Sequence, residues 1–368
     1  MAVSHNSRSL AALTFRPRTL TDVSSRTTAT RFFGVPVSMP VVVAPTGAAG
    51  LLWRDGEVAL ARAAVDAGVP FTAATGSLAS VEDLAGAVQA PLWFQLYIWP
   101  ERQQTFDLIA RVKACGCSAL MVTVDTAVSP NREYNIRNGF GLPFKVNGAN
   151  AFDLATHPRW LLSVVCAYML RGGLPKLANY PPELQDLMAR RSQPGVRRTV
   201  PQSDNVVWGD LVEVRRRWSG PLLLKGVLRA DDARRAVSAG VDGIVVSNHG
   251  GRNLDASASP MEVLEQILDA AGPRCEVFVD GGMLRGSDVL KAVASGARGV
   301  LAGRGPLWGL AARGGAGASQ ALDIYRAEIR RTMALLGCAQ VEDVTRDLLH
   351  RRSSCAAGSD LDTKAKIE

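Results

Sequence analysis

A histidine set in Ser247-Asn248-His249-Gly250-Gly251-Arg252, directly after the apolar run Gly243–Val246, has the residue types for proton transfer beside an anion. Histidine titrates nearest neutrality, and it serves as a base when a carboxylate orients the ring and stabilises its protonated form. Asp125, closing the run Val122-Thr123-Val124-Asp125, suits that second role. Arg252 and Arg132 offer forked donors that match a carboxylate, so the expected substrate carries one. Tyr97, just past Leu92–Leu96, is placed to bond a substrate hydroxyl or the oxygen formed from it.

A second group of residues suits a cofactor. Lys225 ends the run Leu222–Leu224, where a buried ammonium needs an anionic partner. Two roles fit it: a Schiff-base lysine, as in an aldolase, or a cation against an electron-rich cofactor ring. Asp280-Gly281-Gly282 and Gly303-Arg304 are glycine-containing turns after two further runs, offering backbone N–H groups to a phosphate, with Arg304 and Arg285 adding charge. Other runs also end in polar or glycine residues: Pro45-Thr46-Gly47, Gln95, Thr123 and Ser247. Packing alone does not explain such a set, because each unpaired polar group at a core edge costs about 1–3 kcal/mol.

The elements that must bring these residues together are eight apolar runs: Met39–Ala44, Pro70–Ala74, Leu92–Leu96, Leu120–Val124, Leu222–Leu224, Gly243–Val246, Val277–Val279 and Gly299–Leu301. Runs of this kind suit strands covered on both faces. Helical spacing follows many of them, as in Asp55–Ala67, Glu101–Ala114, Asp231–Ala239, Pro260–Ala271 and Ser287–Ala294. Five helix-ending glycines recur at Gly68, Gly116, Gly240, Gly272 and Gly296. Eight such units predict an α/β fold, a (β/α)8 TIM barrel, with a doubly wound open sheet as the alternative. Catalysis then belongs at the C-terminal ends of the strands. The expected domain spans 1–351, with residues 126–220 a long insertion after the fourth strand and 352–368 a disordered tail. Gln193–Asp204 has the composition of a mobile linker.

Composition narrows the function classes. The chain has 368 residues, 47% hydrophobic and 21% charged, with a net charge of +8. That balance is ordinary for a globular protein. The basic residues are scattered and carry no aromatic interleaving, so nucleic acid is not an expected partner. Six cysteines lack paired metal-ligand spacing and four histidines are dispersed, so neither a metal site nor a disulfide framework is expected. No secretory signal is expected either. The run Trp160–Leu170, flanked by Arg159 and Arg171, is too short to span a bilayer. It reads as a helix packed on the barrel or as a surface docked on a membrane.

The segments WFQLY, VTVDTAV, LLLKGVL, SNHGGRNLD, VDGGMLRGSD and GVLAGR, in chain order, resemble the FMN-dependent L-2-hydroxy-acid oxidase and dehydrogenase family, and the likeness runs from about Asn6 to Val344. APTG, HPRW, SPMEVL and LWGLAARGGAG are most similar to its mandelate-oxidising members. The resemblance implies FMN as cofactor and a 2-hydroxy acid as substrate. His249 would take the hydroxyl proton while hydride leaves C2 for flavin N5, and Asp125 would stabilise the imidazolium. Arg132, Arg252 and Tyr97 would bind substrate. Pro45, Thr46, Gly47, Gln95, Thr123, Lys225 and Ser247 would hold the ring and ribityl chain, with Asp280, Gly281, Gly282, Gly303 and Arg304 at ribityl and phosphate.

Departures from the family pattern carry expectations of their own. Leu284 stands where an arginine commonly meets the phosphate, leaving Arg285 beside it to compensate. Ala74 replaces a flavin-contacting serine, with Thr75 next to it. Gly76 stands near where small-acid oxidases place a tryptophan, which leaves room for a ring. Gly47 matches the dehydrogenases rather than the oxidases. The family's substrate-binding tyrosine lies in a segment preceding the part of the pattern where this chain starts. The expected acceptor is a quinone or electron-transfer chain, with oxygen as the alternative. A homotetramer in the cytoplasm, with peripheral contact on the inner face of the cell membrane left open, completes the expectation. The competing readings are a peroxide-releasing oxidase, a non-catalytic flavin-binding relative, and an aldolase or isomerase using Lys225 covalently.

Overall fold

Eight parallel strands form a ring in the order β4-β11-β10-β9-β8-β7-β6-β5. They are β4 (Val41–Val43), β5 (Thr72–Ala74), β6 (Trp93–Leu96), β7 (Ala119–Thr123), β8 (Leu222–Val227), β9 (Gly243–Val246), β10 (Glu276–Val279) and β11 (Gly299–Ala302). A parallel bridge between Val43 and Phe71 joins the two ends of the order. This is the TIM-barrel fold that the eight apolar runs predicted, in a computed structural model that describes residues 1–130, 132–139, 148–170, 173, 176–182, 185 and 203–351, side chains at 149 and 150 excepted. The expected tail beyond residue 351 and most of the linker at 193–204 lie outside the described residues.

The five helices read from the sequence appear within a residue or so of their expected ends: α2 (Gly56–Asp66), α4 (Arg102–Ala114), α10 (Ala230–Ser238), α11 (Pro260–Ala271) and α12 (Gly286–Ala294). Others complete the outer ring: α3 (Val81–Ala87), α9 (Trp208–Arg217) and α13 (Arg304–Leu336), which is broken by a kink at Arg313 and Gly314. Ahead of the barrel come α1 (Ala2–Ala11), β1 (Leu13–Phe15) and the hairpin of β2 (Thr30–Phe32) with β3 (Val35–Val37); β1 pairs antiparallel with β12 (Leu349–Arg351).

Because side chains alternate across a strand, each barrel strand sends every second residue inward. The lower inward tier is apolar: Val42, Trp93, Met121, Leu223, Val245, Phe278 and Leu301 form one buried cluster with Phe32. Phe32 and Phe33 close the floor against Trp93 and Phe278, with ring centroids 5.0–6.2 Å apart. Two residues further along the same strands, the inward tier becomes Ala44, Gln95, Thr123, Lys225, Ser247, Asp280 and Gly303. The polarity switch follows from strand period and sequence alone.

The insertion after β7 carries α5 (Glu133–Arg137), α6 (Gly148–Thr156), α7 (Pro158–Trp160), a π-helical turn over Leu161–Cys166, and α8 (Ala167–Met169). Trp160–Leu170 is thus helical and only half docked. Trp160 Nε1 donates to Leu51 O at 2.8 Å and Val164 is buried. Leu162, Met169 and Leu170 stay exposed. Among the described residues no helix is long and apolar enough to cross a membrane.

Candidate active site

Above the polar tier opens a cavity of about 1740 Å³. It is lined by Pro45, Thr46, Gly47, Gln95, Tyr97, Thr123, Arg132, Lys225, His249 and Arg252 among others, and by Asp280, Gly281, Gly282, Gly303 and Arg304, the residues expected to face the phosphate end of a cofactor.

His249 sits one inward step beyond Ser247, in the turn after β9. Its Nδ1 lies 3.0 Å from Asp125 Oδ1, itself one inward step beyond Thr123 on β7. Burial pushes the Asp125 carboxyl up, but the bond to His249 and the charge of Lys225 outweigh it and hold the group below its ordinary value. A charged Asp125 makes Nδ1 the protonated nitrogen and leaves Nε2 for a substrate. Asn253 Nδ2 also donates to Asp125 O at 2.8 Å, a contact no spacing in the sequence announces. The approach of Asp125 to β8 depends on Gly226, at φ +104° in a bulge between Lys225 and Val227: a Cβ there would lie 2.7 Å from Asp125 Cβ.

Lys225 Nζ pairs with Asp280 Oδ2 at 2.7 Å and donates to Ser247 Oγ at 2.7 Å. Burial pulls this ammonium down, yet Asp280 and Asp125 together keep it above its ordinary value. A protonated, carboxylate-paired lysine is a poor amine nucleophile, which disfavours the aldolase reading. Ser247 Oγ in turn accepts the N–H of His249 at 3.0 Å, so one hydroxyl links the ammonium to the base's backbone.

Arg132 and Arg252 converge on the cavity, with Arg132 Nε donating to Arg252 O at 3.3 Å. Among the described residues neither has a carboxylate within ion-pair distance. Burial first, then the like charge of Arg252, pushes the Arg132 guanidinium below its ordinary value. A half-buried guanidinium beside a second one of like charge is relieved by an anion. Tyr97 keeps its proton: burial, reinforced by the Asp125 charge, raises its phenol. It is a donor at any ordinary pH.

The cofactor side can be tested on unpaired atoms. Gln95 Nε2, Thr123 Oγ1 and Asp280 Oδ1 are buried without a partner, and all three residues line the cavity at the level of the polar tier. One tier with three orphaned polar atoms calls for a ligand with donors and acceptors along its edge. Small residues leave room beside it. Gly76 faces Gly47 with only its Cα within 4 Å of a built Cβ, and at Gly303 a Cβ would meet nothing closer than 3.7 Å. Arg304 begins α13, so its charge adds to the positive end of that helix, which suits an anion there.

Arg285 is placed differently from the phosphate role expected of it. Its guanidinium pairs with Glu328 on α13 at 2.7 Å, its side chain is 70% exposed, and it does not line the cavity. As the residue capping the start of α12, it faces outward while Leu284 lines the wall. Ser247 lies beneath the lining rather than in it, acting through Lys225 and His249.

Comparison with known proteins gives a consistent result. The sequence profile of a family described as FMN-dependent dehydrogenase matches residues 1–351. The chain is 40% identical over 347 residues to (S)-mandelate dehydrogenase of Pseudomonas putida, covering 94% of this chain and 86% of that protein. It is 38% identical over 358 residues to L-lactate dehydrogenase of Pseudomonas entomophila, covering 94% and 90%. A crystal structure of (S)-mandelate dehydrogenase, described as a monotopic membrane protein, superposes with a TM-score of 0.86 at 38% identity, over 95% of this chain and 91% of that one. A mandelate oxidase solved with an FMN adduct gives 0.77 at 36% identity, over 95% and 90%.

Proposed function

The chain belongs to the FMN-dependent dehydrogenase family, and on that premise we propose that it oxidises an aromatic, mandelate-like L-2-hydroxy acid to the 2-oxo acid with His249 as base. The observation that carries the reading is the convergence of His249–Asp125, Tyr97, Arg132 and Arg252 on one cavity whose floor is the orphaned polar tier.

Arg132 and Arg252 bind the substrate carboxylate, which relieves their mutual repulsion. That anchoring aims the 2-hydroxyl at His249 Nε2, with the Tyr97 phenol donating to the same oxygen. His249 accepts the hydroxyl proton at Nε2, and the Asp125 carboxylate stabilises the doubly protonated ring through Nδ1. When bound, FMN supplies the acceptor for the hydride that leaves C2. Gln95, Thr123 and Asp280 would satisfy the ring and ribityl edge. Lys225, held protonated, would face the ring, and Gly282, Gly303 and Arg304 would take the phosphate.

An aromatic substrate is supported by the missing side chain at Gly76 and by the apolar wall of Leu51, Leu161 and Val164. Peripheral membrane contact, with a quinone as acceptor, is supported by the exposed Phe152, Leu162, Met169 and Leu170 of the insertion. The test is an anaerobic visible spectrum of the FMN-loaded protein before and after (S)-mandelate or L-lactate. Bleaching is expected with both and faster with mandelate. Faster bleaching with lactate would overturn the aromatic preference, and no bleaching with either would overturn the reaction. Readmitted air is expected to reoxidise the flavin slowly compared with a soluble quinone; rapid peroxide release would make the protein an oxidase.

A further inference from the structure

His249 occupies a backbone conformation that a histidine does not adopt freely. Its φ is +57°, and Gly250 and Gly251 follow at +65° and +75°. Left-handed backbone strains a residue that carries a Cβ, so neighbouring contacts must hold the turn. Beside the bonds of His249 to Ser247 and Asp125, the side chain of Asn248 supplies two. Its Oδ1 accepts from Gly251 N at 3.1 Å, and its Nδ2 donates to Ala258 O at 3.1 Å.

The other two bonds of that amide go to a residue 242 positions away. Asn6 Nδ2 donates to Asn248 Oδ1 at 2.9 Å, and Asn248 Nδ2 donates to Asn6 Oδ1 at 2.8 Å. The two amides form a closed, reciprocal pair, and both side chains are buried, Asn6 fully. In so dry a setting each bond is strong and an unmade one is costly. Asn6 lies on α1, whose first turn also packs on the base's turn: a Cβ at Gly251 would lie 2.7 Å from Val3 N.

Resting on the reading of His249 as base, we infer that Asn6 is a positioning residue for the reaction. Through Asn248 it fixes the left-handed turn that aims His249 into the cavity, so α1 sets the base as well as covering the barrel. Helix α1 has docking contacts besides Asn6. Ser9 Oγ meets Ser259 Oγ at 2.6 Å, His5 meets Glu262 at 2.8 Å, Lys291 Nζ donates to Leu10 O at 2.8 Å, and Leu10 is buried. The loss of Asn6 therefore acts on the turn and not on the helix as a whole. Asn6 also neighbours the cofactor turn, where a Cβ at Gly281 would lie 2.8 Å from its Nδ2, so the test must separate base from flavin.

The experiment compares FMN-loaded wild type, Asn6→Ala and Asn6→Asp in rapid-mixing flavin reduction with a 2-hydroxy acid carrying ¹H or ²H at C2. Sulfite affinity, which reports the flavin N5 environment without the base, and the melting temperature are measured alongside. For Asn6→Ala the saturating reduction rate is expected to fall about 10- to 100-fold, the loss typical of a misplaced catalytic group. Its isotope effect, substrate Kd and sulfite Kd should stay near wild type. Asn6→Asp keeps the shape and the bond from Asn248 Nδ2 but loses the donor, and should fall between. A rate within about twofold of wild type in a folded variant would overturn the inference. So would a parallel loss of sulfite affinity, or failure of both variants to fold, since α1 would then act on the flavin or on the fold. If wild type itself is not reduced by any 2-hydroxy acid, the proposed function fails first; a reducible wild type with equally fast variants leaves that function standing and removes only this inference.

Discussion

The barrel rim and the insertion after β7 both supply the cavity, but they hold their residues by different means. On the rim, position is set by strand register. Gln95, Thr123, Lys225, Ser247 and Asp280 each stand two residues beyond an apolar floor residue, and the Lys225–Asp280 pair locks two strands together in the interior. The insertion is instead stapled to the rim by side chains reaching backbone. Trp160 Nε1 meets Leu51 O, Tyr168 bridges Gly50 O and Asp55 N, and Asn179 clamps Val81 N, Ala74 O and Ala79 O. Arg102 closes its far end by binding Ser203, Asn205 and Asp210 together. Arg132, at the start of α5, is one of the charged side chains the insertion brings to the cavity. Under the proposed function this difference is a division of labour: the rim carries chemistry that needs fixed geometry, and the insertion carries grip and access, where small movements cost less.

His249→Gln gives the largest expected effect on that division. Flavin reduction at saturating substrate should fall by about 10²- to 10⁴-fold, the usual contribution of a positioned base, while FMN stays bound. Rapid mixing under nitrogen measures it, and a near-wild-type rate would remove the base from the rim.

Lys225→Met should come next, read as stability. It strips the buried Asp280 carboxylate of its counter-charge, and breaking a buried pair in this way costs about 3–5 kcal/mol. The urea midpoint is expected to drop accordingly. A variant as stable as wild type would mean that the rim does not depend on its internal charges.

Trp160→Phe tests the other region and should do least. It removes one indole-to-backbone bond, worth about 1 kcal/mol, and is expected to weaken substrate binding a few-fold while leaving the saturating rate within about twofold. Should the saturating rate collapse as it does for His249→Gln, grip and chemistry are not separable and the comparison fails.

Much of the rim was legible beforehand because strand period is a property of sequence. Eight apolar runs predicted eight strands, and the polar residue ending each run pointed to a shared open end. The run at Gly243–Val246 and the helix at Pro260–Ala271 keep their predicted bounds, and β8 runs three residues longer because Lys225 and Val227 both pair. Arg285 points away from the cavity because a helix-capping position leaves side-chain direction to tertiary packing, and Glu328 waits on α13. Asn6, Asn179, Asn253 and Arg102 gave no signal at all. Their partners lie about 100 or more residues away, and no periodicity encodes that distance.

By itself, then, the sequence determined the strand count, the inward tier and the residue types at its mouth, since local alternation and turn chemistry depend only on neighbours along the chain. Only the tertiary structure decided which polar groups are spent on each other and which are left for ligands. Lys225 is spent on Asp280 and Ser247, Arg285 on Glu328, and Asn248 on Asn6, whereas Gln95 Nε2, Thr123 Oγ1 and Asp280 Oδ1 are left facing the cavity. The physical reason is that a hydrogen bond is settled by geometry within about 3 Å, and that proximity exists only once the barrel has closed.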